Sequence, residues 1–186
     1  QFLAPLMADR RAICVAGTHG KTTTSALAAT LLDRLGAEPG FFVGSAILSL
    51  GASARSGRSG GPFVIEADEY DRTFLGLCPQ IAVITNVEWD HGDCYPNPPA
   101  YEEAFREFAA LVPPGGSLVY CADDPGAAAL RAALPGSGAR WVSYGMARPA
   151  EWQAINVSAN SSGGQDIEIT RNGVWLGRLA LPLAGP

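Results

Sequence analysis

The segment VAGTHGKTTT, residues 15–24, constrains the fold of this chain most strongly. It follows the short apolar run RAICVAG and leads into the segment TTTSALAATLLDRLGAEPG. In that second segment leucines recur at helical spacing, at positions Leu27, Leu31, Leu32 and Leu35. The pattern predicts a glycine-rich turn between a strand and a helix, which is the setting in which many proteins bind phosphate.

The residues of this turn have the chemistry that a nucleotide phosphate requires. Gly17 and Gly20 allow backbone N–H groups to close around phosphate oxygens. Lys21 can neutralise the β- and γ-phosphates, and the Thr22 hydroxyl can ligate Mg²⁺. However, Val15 stands where the usual phosphate-loop pattern has its first glycine. The alternative interpretation is an ordinary helix start in which threonines act as caps.

Apolar runs alternate with helical segments as far as residue 145. Strands are predicted in RAICVAG, FFVGS, PFVIEAD, IAVITN, SLVYCADD and ARWVSYG, and further helices in AYEEAFREFAALV and DPGAAALRAAL. This alternation predicts an α/β fold with a mostly parallel sheet flanked by helices. After Pro149 the segments WQAINVSA, QDIEITRNG and VWLGRLALPL predict a small antiparallel β appendage of the same domain. LSLGASARSGRSGGP reads as an exposed loop or a loose hairpin.

Two more of the predicted strands end in polar residues. One is followed by the acidic stretch Glu66–Asp71, whose carboxylates could bind Mg²⁺ or could form a solvated turn. The other is followed by TNVEWDHGD, which contains His91. A histidine there could ligate a metal or carry protons, although a lone histidine is more often structural. Ligands of α/β sheets bind beyond the carboxyl ends of strands, so these stretches are the candidate site.

Composition excludes several classes of protein. The 186 residues suffice for one sizeable domain, and the net charge of −5 without a cluster of Lys or Arg argues against a nucleic-acid surface. No apolar run reaches the length of about 18 residues that spans a membrane. Four scattered cysteines without C-x-x-C spacing predict neither a zinc site nor a redox pair. We therefore expect a cytoplasmic protein.

Three stretches in this order, GTHGKTTT, EADEYDRTFL and TNVEWDHGDCY, resemble the central ATP-binding domain of the Mur ligases. The phosphate loop of that family is G-T-x-G-K-T, which accounts for the missing first glycine. The resemblance covers nearly the whole chain. Within the family, the stretches look most like the branch that joins L-alanine to UDP-N-acetylmuramate in peptidoglycan synthesis.

The resemblance implies an amide-forming ligase that passes through an acyl phosphate. It implies ATP contacts from the loop and from Asn86, namely Gly17, Thr18, His19, Gly20, Lys21, Thr22, Thr23 and Asn86. It assigns Mg²⁺ to Thr22, Glu66 and His91, with His91 at a second ion. Lys21 and His91 are the implied catalytic residues.

Two features depart from the family pattern. Trp89 stands where the alanine-adding branch often has a small residue, so we expect a different rim at the second metal site. Related ligases use a carbamylated lysine there, but this chain has no lysine after Lys21. The alanine-adding branch is the one expected to lack it.

The resemblance also sets an expectation for the domains. Residues 1–186 should form a central-domain fragment, with the UDP-binding N-terminal domain and the C-terminal domain outside it. The central domain of the family continues past a segment like LPLAGP toward the adenine. We therefore expect weak nucleotide binding and no full reaction from the chain alone.

Three other functions are compatible with parts of the sequence. A murein-peptide ligase of cell-wall recycling shares the E-x-D-E-Y-D stretch, but there a longer basic and aromatic segment follows. A nucleotide kinase or GTPase usually keeps the full phosphate-loop spacing, and a GTPase needs an Asn-Lys-x-Asp stretch that this sequence lacks. A binding module without enzymatic activity is the third possibility.

Overall fold

The computed structural model describes residue 5, residues 7–147 and residues 149–182. The last four residues of the LPLAGP segment lie outside the described part of the chain. The strands are β1 Arg11–Ala16, β2 Gly40–Ile47, β3 Ala52–Arg55, β4 Pro62–Glu66, β5 Ile81–Ile84, β6 Ser117–Cys121, β7 Arg140–Gly145, β8 Trp152–Ala159, β9 Gln165–Arg171 and β10 Val174–Leu181. The helices are α1 Lys21–Arg34, α2 Pro98–Ala110 and α3 Pro125–Ala133, with a 3-10 helix at Tyr70–Gly76.

All ten strands belong to one sheet, in the order β10-β9-β8-β7-β6-β5-β1-β4-β2-β3. The parallel pairs are β2–β4, β4–β1, β1–β5, β5–β6, β6–β7 and β7–β8. Pairing is antiparallel at both edges, between β2 and β3 and among β8, β9 and β10. The predicted α/β fold with an antiparallel C-terminal portion is therefore confirmed. The antiparallel strands extend the main sheet rather than forming a separate one.

Alternate residues of the central strands face two different apolar clusters, as the two-residue period of a strand requires. Phe63 and Ile65 of β4 belong to the cluster beneath α2 and α3, whereas Val64 belongs to the cluster beneath α1. The predicted aromatic face of α2 is buried, and it consists of Tyr101, Phe105 and Phe108. The core thus lies on both faces of the sheet.

Helix α1 forms where the leucine spacing predicts it, but the residues it buries are small. Ser25 and Ala29 are its buried positions, while Leu31 is 59% exposed. Leu35 lies just beyond the helix and is 80% exposed. Leu32 packs partly buried against the same cluster together with Ala26 and Ala28, so the face of α1 that meets the sheet consists mainly of small side chains.

The stretch after β4 forms a 3-10 helix that the sequence analysis did not predict. Asp71 and Arg72 inside it have positive φ angles of 50° and 55°. Phe74 of this helix stacks on Phe108 with ring centroids 4.8 Å apart. Within the described residues, none of the helices has both the length and the apolar character needed to cross a membrane.

Candidate functional site

The three chemistry-bearing stretches emerge side by side because β1 lies between β4 and β5. Val15 of β1 pairs with Glu66 of β4, and Ala16 pairs with Ile84 of β5. The glycine-rich loop, the acidic stretch and the TNVEWDHGD stretch therefore leave the sheet at the same edge. This edge is the carboxyl end of parallel strands, where α/β sheets bind ligands.

The glycine-rich loop leads directly into helix α1 without a side-chain cap. Gly20 is the N-cap residue, with φ 81°, and no side chain hydrogen-bonds to the helix start. The interpretation in which threonines cap this helix is therefore wrong. The first N–H groups of this uncapped helix, and the partial positive charge at its N-terminus, point toward the loop.

Gly17 is required by a close approach between the loop and the end of β5. Its φ is 144°, and a Cβ built there would lie 1.9 Å from Thr85 Oγ1. Any other residue would collide with this hydroxyl, which donates to the His19 carbonyl at 2.7 Å. The glycine thus permits the close packing of the loop against the end of β5.

Asn86 and Thr18 fasten the loop to the neighbouring stretch. Asn86 Oδ1 accepts from His19 N at 2.8 Å, and its Nδ2 donates to the His19 carbonyl at 3.2 Å. The Thr18 hydroxyl is buried, donates to the Glu88 carbonyl at 2.8 Å and accepts from Glu88 N at 3.0 Å. These two side chains hydrogen-bond the glycine-rich loop to the TNVEWDHGD stretch. Their predicted contacts with nucleotide stay predictions.

Thr85, Glu88 and Tyr101 take part in this anchoring and were absent from the predicted site. Thr18 Oγ1 lies 3.0 Å from the Tyr101 hydroxyl on the buried face of α2. Burial raises the pKa of Tyr101, so this hydroxyl stays protonated. The signal for Thr85 and Glu88 was their position within TNVEWDHGD. Nothing in the sequence pairs Tyr101 with the loop, because that contact depends on how α2 packs.

The Lys21 ammonium lies inside the loop, next to a buried carboxylate. Its Nζ donates to the Gly17 carbonyl at 2.7 Å and to the Thr18 carbonyl at 3.3 Å. It is also 2.8 Å from each carboxylate oxygen of Glu69. The ammonium is therefore held at the position from which it could reach phosphate oxygens.

The predicted magnesium residues Thr22 and Glu66 are in direct contact. Thr22 Oγ1 donates to Glu66 Oε1 at 2.7 Å, and Gly44 N donates to Glu66 Oε2 at 2.7 Å. A hydroxyl and a carboxylate oxygen so close together suit Mg²⁺, which binds oxygen ligands. In the described part of the chain, no three His, Cys, Asp or Glu side chains cluster as a complete metal site. An ion here would thus need phosphate or water oxygens as well.

His91 lies near the same carboxylate as Lys21. Its Nε2 is 3.3 Å from Glu69 Oε1, and the edge of the Tyr70 ring packs against it with centroids 5.2 Å apart. His19 by contrast is exposed, with Nε2 3.9 Å from Glu88 Oε2, and Thr23 is exposed on the first turn of α1. Trp89 stands at the rim, donating from Nε1 to the Tyr95 carbonyl at 3.1 Å.

Glu69 is the central residue that the predicted site lacked. It is fully buried and contacts both Lys21 and His91. The acidic stretch begins with Glu66 at the end of β4 and continues with Asp68, Glu69 and Asp71, and nothing in the sequence distinguishes Glu69 from the other two acids that follow the strand. The turn into the 3-10 helix buries Glu69 and leaves Asp68 and Asp71 exposed.

A cavity of about 300 Å³ lies at the other end of the strands and is separate from these residues. It is lined by aromatic rings at the starts of β2 and β4, including Phe41, Phe42 and Phe63, and by Arg10 and Arg55. Arg55 is paired with Asp33 at 2.5 Å, and both arginines lie over phenylalanine rings. Ser56 supplies a hydroxyl to the lining, but none of the described lining residues is a lysine or carries a carboxylate.

Comparison with known proteins identifies relatives over most of the chain. The family model of the Mur ligase middle domain matches residues 15–185. A UDP-N-acetylmuramate–L-alanine ligase from Roseiflexus sp. (strain RS-1) is 49% identical over 158 residues, which are 80% of this chain and 33% of that protein. The ligase of the same name from Frankia alni is 41% identical over 192 residues, covering 100% of this chain and 32% of that protein. The chain thus spans about a third of the length of these curated relatives.

Solved structures agree with this result. A UDP-N-acetylmuramate:L-alanyl-γ-D-glutamyl-meso-diaminopimelate ligase from Neisseria meningitides is similar with a TM-score of 0.82 and 29% identity, covering 100% of this chain and 60% of that one. A UDP-N-acetylmuramate–alanine ligase from Thermotoga maritima gives 0.77 and 27%, covering 97% and 39%. The fold, the motif order and these comparisons lead to one conclusion: the chain belongs to the Mur ligase family and corresponds to its middle domain.

Proposed function

We propose that this chain is the nucleotide-binding part of an ATP-dependent ligase that joins L-alanine to UDP-N-acetylmuramate. Mur ligases are ATP-dependent, which supports ATP as the nucleotide. The Roseiflexus and Frankia relatives carry the name of this alanine-adding enzyme, which supports the two substrates. The four cysteines, Cys14, Cys78, Cys94 and Cys121, form no disulfide in the described structure, in line with a reducing cytoplasm.

The observation that carries this proposal is the meeting of Lys21, Thr22, Glu66 and His91 at one edge of the sheet. An ammonium, a hydroxyl, a carboxylate and an imidazole are the groups needed to grip a triphosphate and divalent cations. They come from three separate stretches of the chain, which β1, β4 and β5 bring together. A chance cluster of polar residues would not unite all three family motifs.

The proposed reaction has two steps. A carboxylate oxygen of the muramic acid takes the γ-phosphoryl group from ATP, and the bond to the ADP oxygen breaks. The amine of L-alanine then attacks the acyl carbon and loses a proton, and inorganic phosphate leaves as the amide forms. Phosphorylation is needed because a free carboxylate is a poor electrophile.

In this reaction the residues of the chain bind and orient charge. Lys21 contacts the β- and γ-phosphates, and the loop N–H groups surround them. Thr22 and Glu66 would hold one magnesium ion, and His91 would hold a second. Mg²⁺ supplies the positive charge that lets two anions approach each other. The direct contact of Thr22 with Glu66 supports their pairing at one ion.

Titration calorimetry with a non-hydrolysable ATP analogue and Mg²⁺ tests the nucleotide site. We expect Lys21→Ala to weaken binding by about tenfold or more, because a charge-assisted contact with phosphate is lost. Arg34→Ala is a matched control, since it removes a positive charge from the far end of the same helix. A Lys21→Ala chain that binds as tightly as the parent chain would contradict the proposed role.

A murein-peptide ligase is the second candidate, because the Neisseria structure of that kind has a TM-score of 0.82. The alanine-adding enzyme is favoured by the higher identities of the relatives that carry its name. The two differ in the acceptor amine. A panel that offers L-alanine and the tripeptide L-Ala-γ-D-Glu-meso-diaminopimelate to the full-length protein decides between them. Preference for the tripeptide would favour the second candidate.

A further inference from the structure

Glu69 is buried in a position that its own backbone fixes. The Glu69 carbonyl accepts from the Tyr95 hydroxyl at 2.5 Å and from Arg72 N at 3.0 Å. Two residues earlier, Ala67 N donates to the Val15 carbonyl at 2.8 Å. The residue is thereby tied to β1 and to the loop that carries Tyr95. Its carboxylate is directed at Lys21 and His91 from a rigid support.

All three donors of the Lys21 ammonium already have acceptors. An ammonium has three donors, and those of Lys21 reach the Gly17 carbonyl, the Thr18 carbonyl and Glu69 Oε1. Glu69 Oε2 lies near the ammonium as an ion-pair neighbour without a hydrogen bond of its own. The contacts with the Gly17 carbonyl and with the Glu69 oxygens are 2.7–2.8 Å long, whereas the contact with the Thr18 carbonyl is 3.3 Å. A phosphate oxygen that approaches Lys21 must replace one of them. The Thr18 contact is the longest and involves an uncharged acceptor.

Releasing Glu69 instead would be costly. A buried carboxylate that loses its cation keeps its charge in a poorly solvated place, which is one of the more destabilising events in a protein interior. Its remaining contact would be His91 Nε2 at 3.3 Å. The carboxylate would also face the phosphates without an ammonium between them. Both effects favour a lysine that keeps Glu69 while it binds phosphate.

We propose that Glu69 is a positioning residue, which keeps one donor of the Lys21 ammonium while another donor turns from the Thr18 carbonyl to a phosphate oxygen. The same Glu69 carboxylate also contacts His91. Glu69 therefore sets the distance between the Lys21 ammonium and the His91 imidazole across the pocket. It acts through Lys21 and His91 and touches no reacting atom itself. The inference rests on the proposed nucleotide site, and it adds a residue that carries no assigned role in that site.

Lys21 is the sole lysine of the chain, so its ammonium can be observed without assignment. Lysine labelled with ¹⁵N at Nζ gives one side-chain signal, recorded with and without saturating Mg-ADP. We expect Glu69→Gln to shift this signal and to speed ammonium hydrogen exchange by about tenfold, as expected when a charge-assisted contact becomes a neutral one. The change should appear both with and without Mg-ADP, because Glu69 stays bound to Lys21.

Asp71→Asn is the matched control. It removes one negative charge two residues from Glu69, at an exposed position whose positive φ of 50° asparagine tolerates. This variant should leave the Lys21 signal as in the parent chain. A Glu69→Gln signal that matches this control would overturn the inference. So would a Glu69→Gln effect that disappears once Mg-ADP is bound, because Lys21 would then have left Glu69.

Glu69→Asp keeps the test decisive if Glu69→Gln does not fold. This variant retains the charge and shortens the side chain by one methylene, so it should produce a smaller shift in the same direction. An Asp variant indistinguishable from the parent chain would contradict the positioning role. If the parent signal does not respond to Mg-ADP, the proposed nucleotide site fails. If the parent signal responds and the Glu69 variants behave like the parent chain, the positioning role of Glu69 fails while the proposed nucleotide site stands.

Discussion

Tyr70 links the candidate site to Asp93 through one hydrogen bond. Its hydroxyl donates to Asp93 Oδ2 at 2.8 Å while its ring packs edge-on against His91. This hydrogen bond raises the pKa of Tyr70 to about 12 and lowers the pKa of Asp93. The ionised carboxylate of Asp93 thus contributes stability at pH values above its unfolded pKa, and that contribution is lost as the pH falls through its folded pKa.

Tyr70→Phe should therefore raise the pKa of Asp93 toward its ordinary value, because the donor that favours the carboxylate is gone. The ring that packs on His91 is kept. Titration of the Asp93 carboxyl carbon by NMR measures the change. Tyr120→Phe is the control, since Tyr120 packs on Trp141 and removing its hydroxyl leaves Asp93 untouched. An Asp93 titration that is the same in the Tyr70→Phe variant and in the parent chain would contradict this account.

Removing the Thr22 hydroxyl tests the predicted magnesium residues of the candidate site. Thr22→Val keeps the size of the side chain and removes the donor that reaches Glu66. We expect the affinity for Mg-ADP to fall by about tenfold, while binding of ADP in the presence of a chelator changes little. Thr30→Val on the same helix, whose hydroxyl lies 3.0 Å from Ser49 Oγ, is the control. Equal losses with and without Mg²⁺ would contradict a metal role for Thr22.

Helix α3 is joined to the end of β5 by its N-cap residue. Asp124 Oδ1 accepts from Ala127 N at 2.7 Å inside the helix and from Val87 N at 3.0 Å in the TNVEWDHGD stretch. Asn97, the N-cap of α2, accepts from Ala100 N at 3.0 Å, and this cap is the side-chain hydrogen bond that it forms among the described residues. The two caps thus differ in whether they also hold the candidate site.

Asp124→Ala should cost more stability than Asn97→Ala. Losing a cap costs about 1 kcal/mol, and leaving the buried Val87 N–H without its acceptor adds about 1–3 kcal/mol. Denaturant unfolding of both variants measures the difference in the free energy of unfolding. The prediction fails if the Asn97→Ala loss equals or exceeds the Asp124→Ala loss.

At the level of elements, the sequence predicted most of the strands, the helices and the motifs that follow them. The apolar runs before Gly17, Glu66 and Thr85 are strands in the structure, and the aromatic face of α2 is buried. Burial within helix α1 was not predictable, since Ala29 packs inside and Leu31 does not. Periodicity indicates which face of a helix is apolar, whereas burial also depends on how the helix packs against the sheet.

The same limit applies to the site. Lys21, Thr22, Glu66 and His91 could be named because each stands in a short stretch with recognisable chemistry. Glu69 could not be chosen over Asp68 or Asp71, because the choice depends on the positive φ angles that turn the chain into the 3-10 helix. The pairing of Thr18 with Tyr101 likewise depends on how α2 packs against the loop.

For the whole molecule, strand order is what turns three stretches of sequence into one pocket. The sequence places the phosphate loop, the acidic stretch and the His91 stretch after strands that are far apart along the chain. The order β5-β1-β4 makes those strands neighbours. All the groups so assembled, from Lys21 to His91, have chemistry suited to phosphate and divalent cations.

This distribution of groups predicts a separation of binding from catalysis. The chain alone should bind Mg-nucleotide but should release no phosphate in response to L-alanine, because the assembled groups suit phosphate and divalent cations and the chain spans about a third of the length of its relatives. A colorimetric phosphate assay with ATP, UDP-N-acetylmuramate and L-alanine measures this. The Roseiflexus relative at full length is the positive control, and the Lys21→Ala chain sets the background from contaminating ATPases. Alanine-dependent release above that background would mean that the residues described here suffice for the whole reaction.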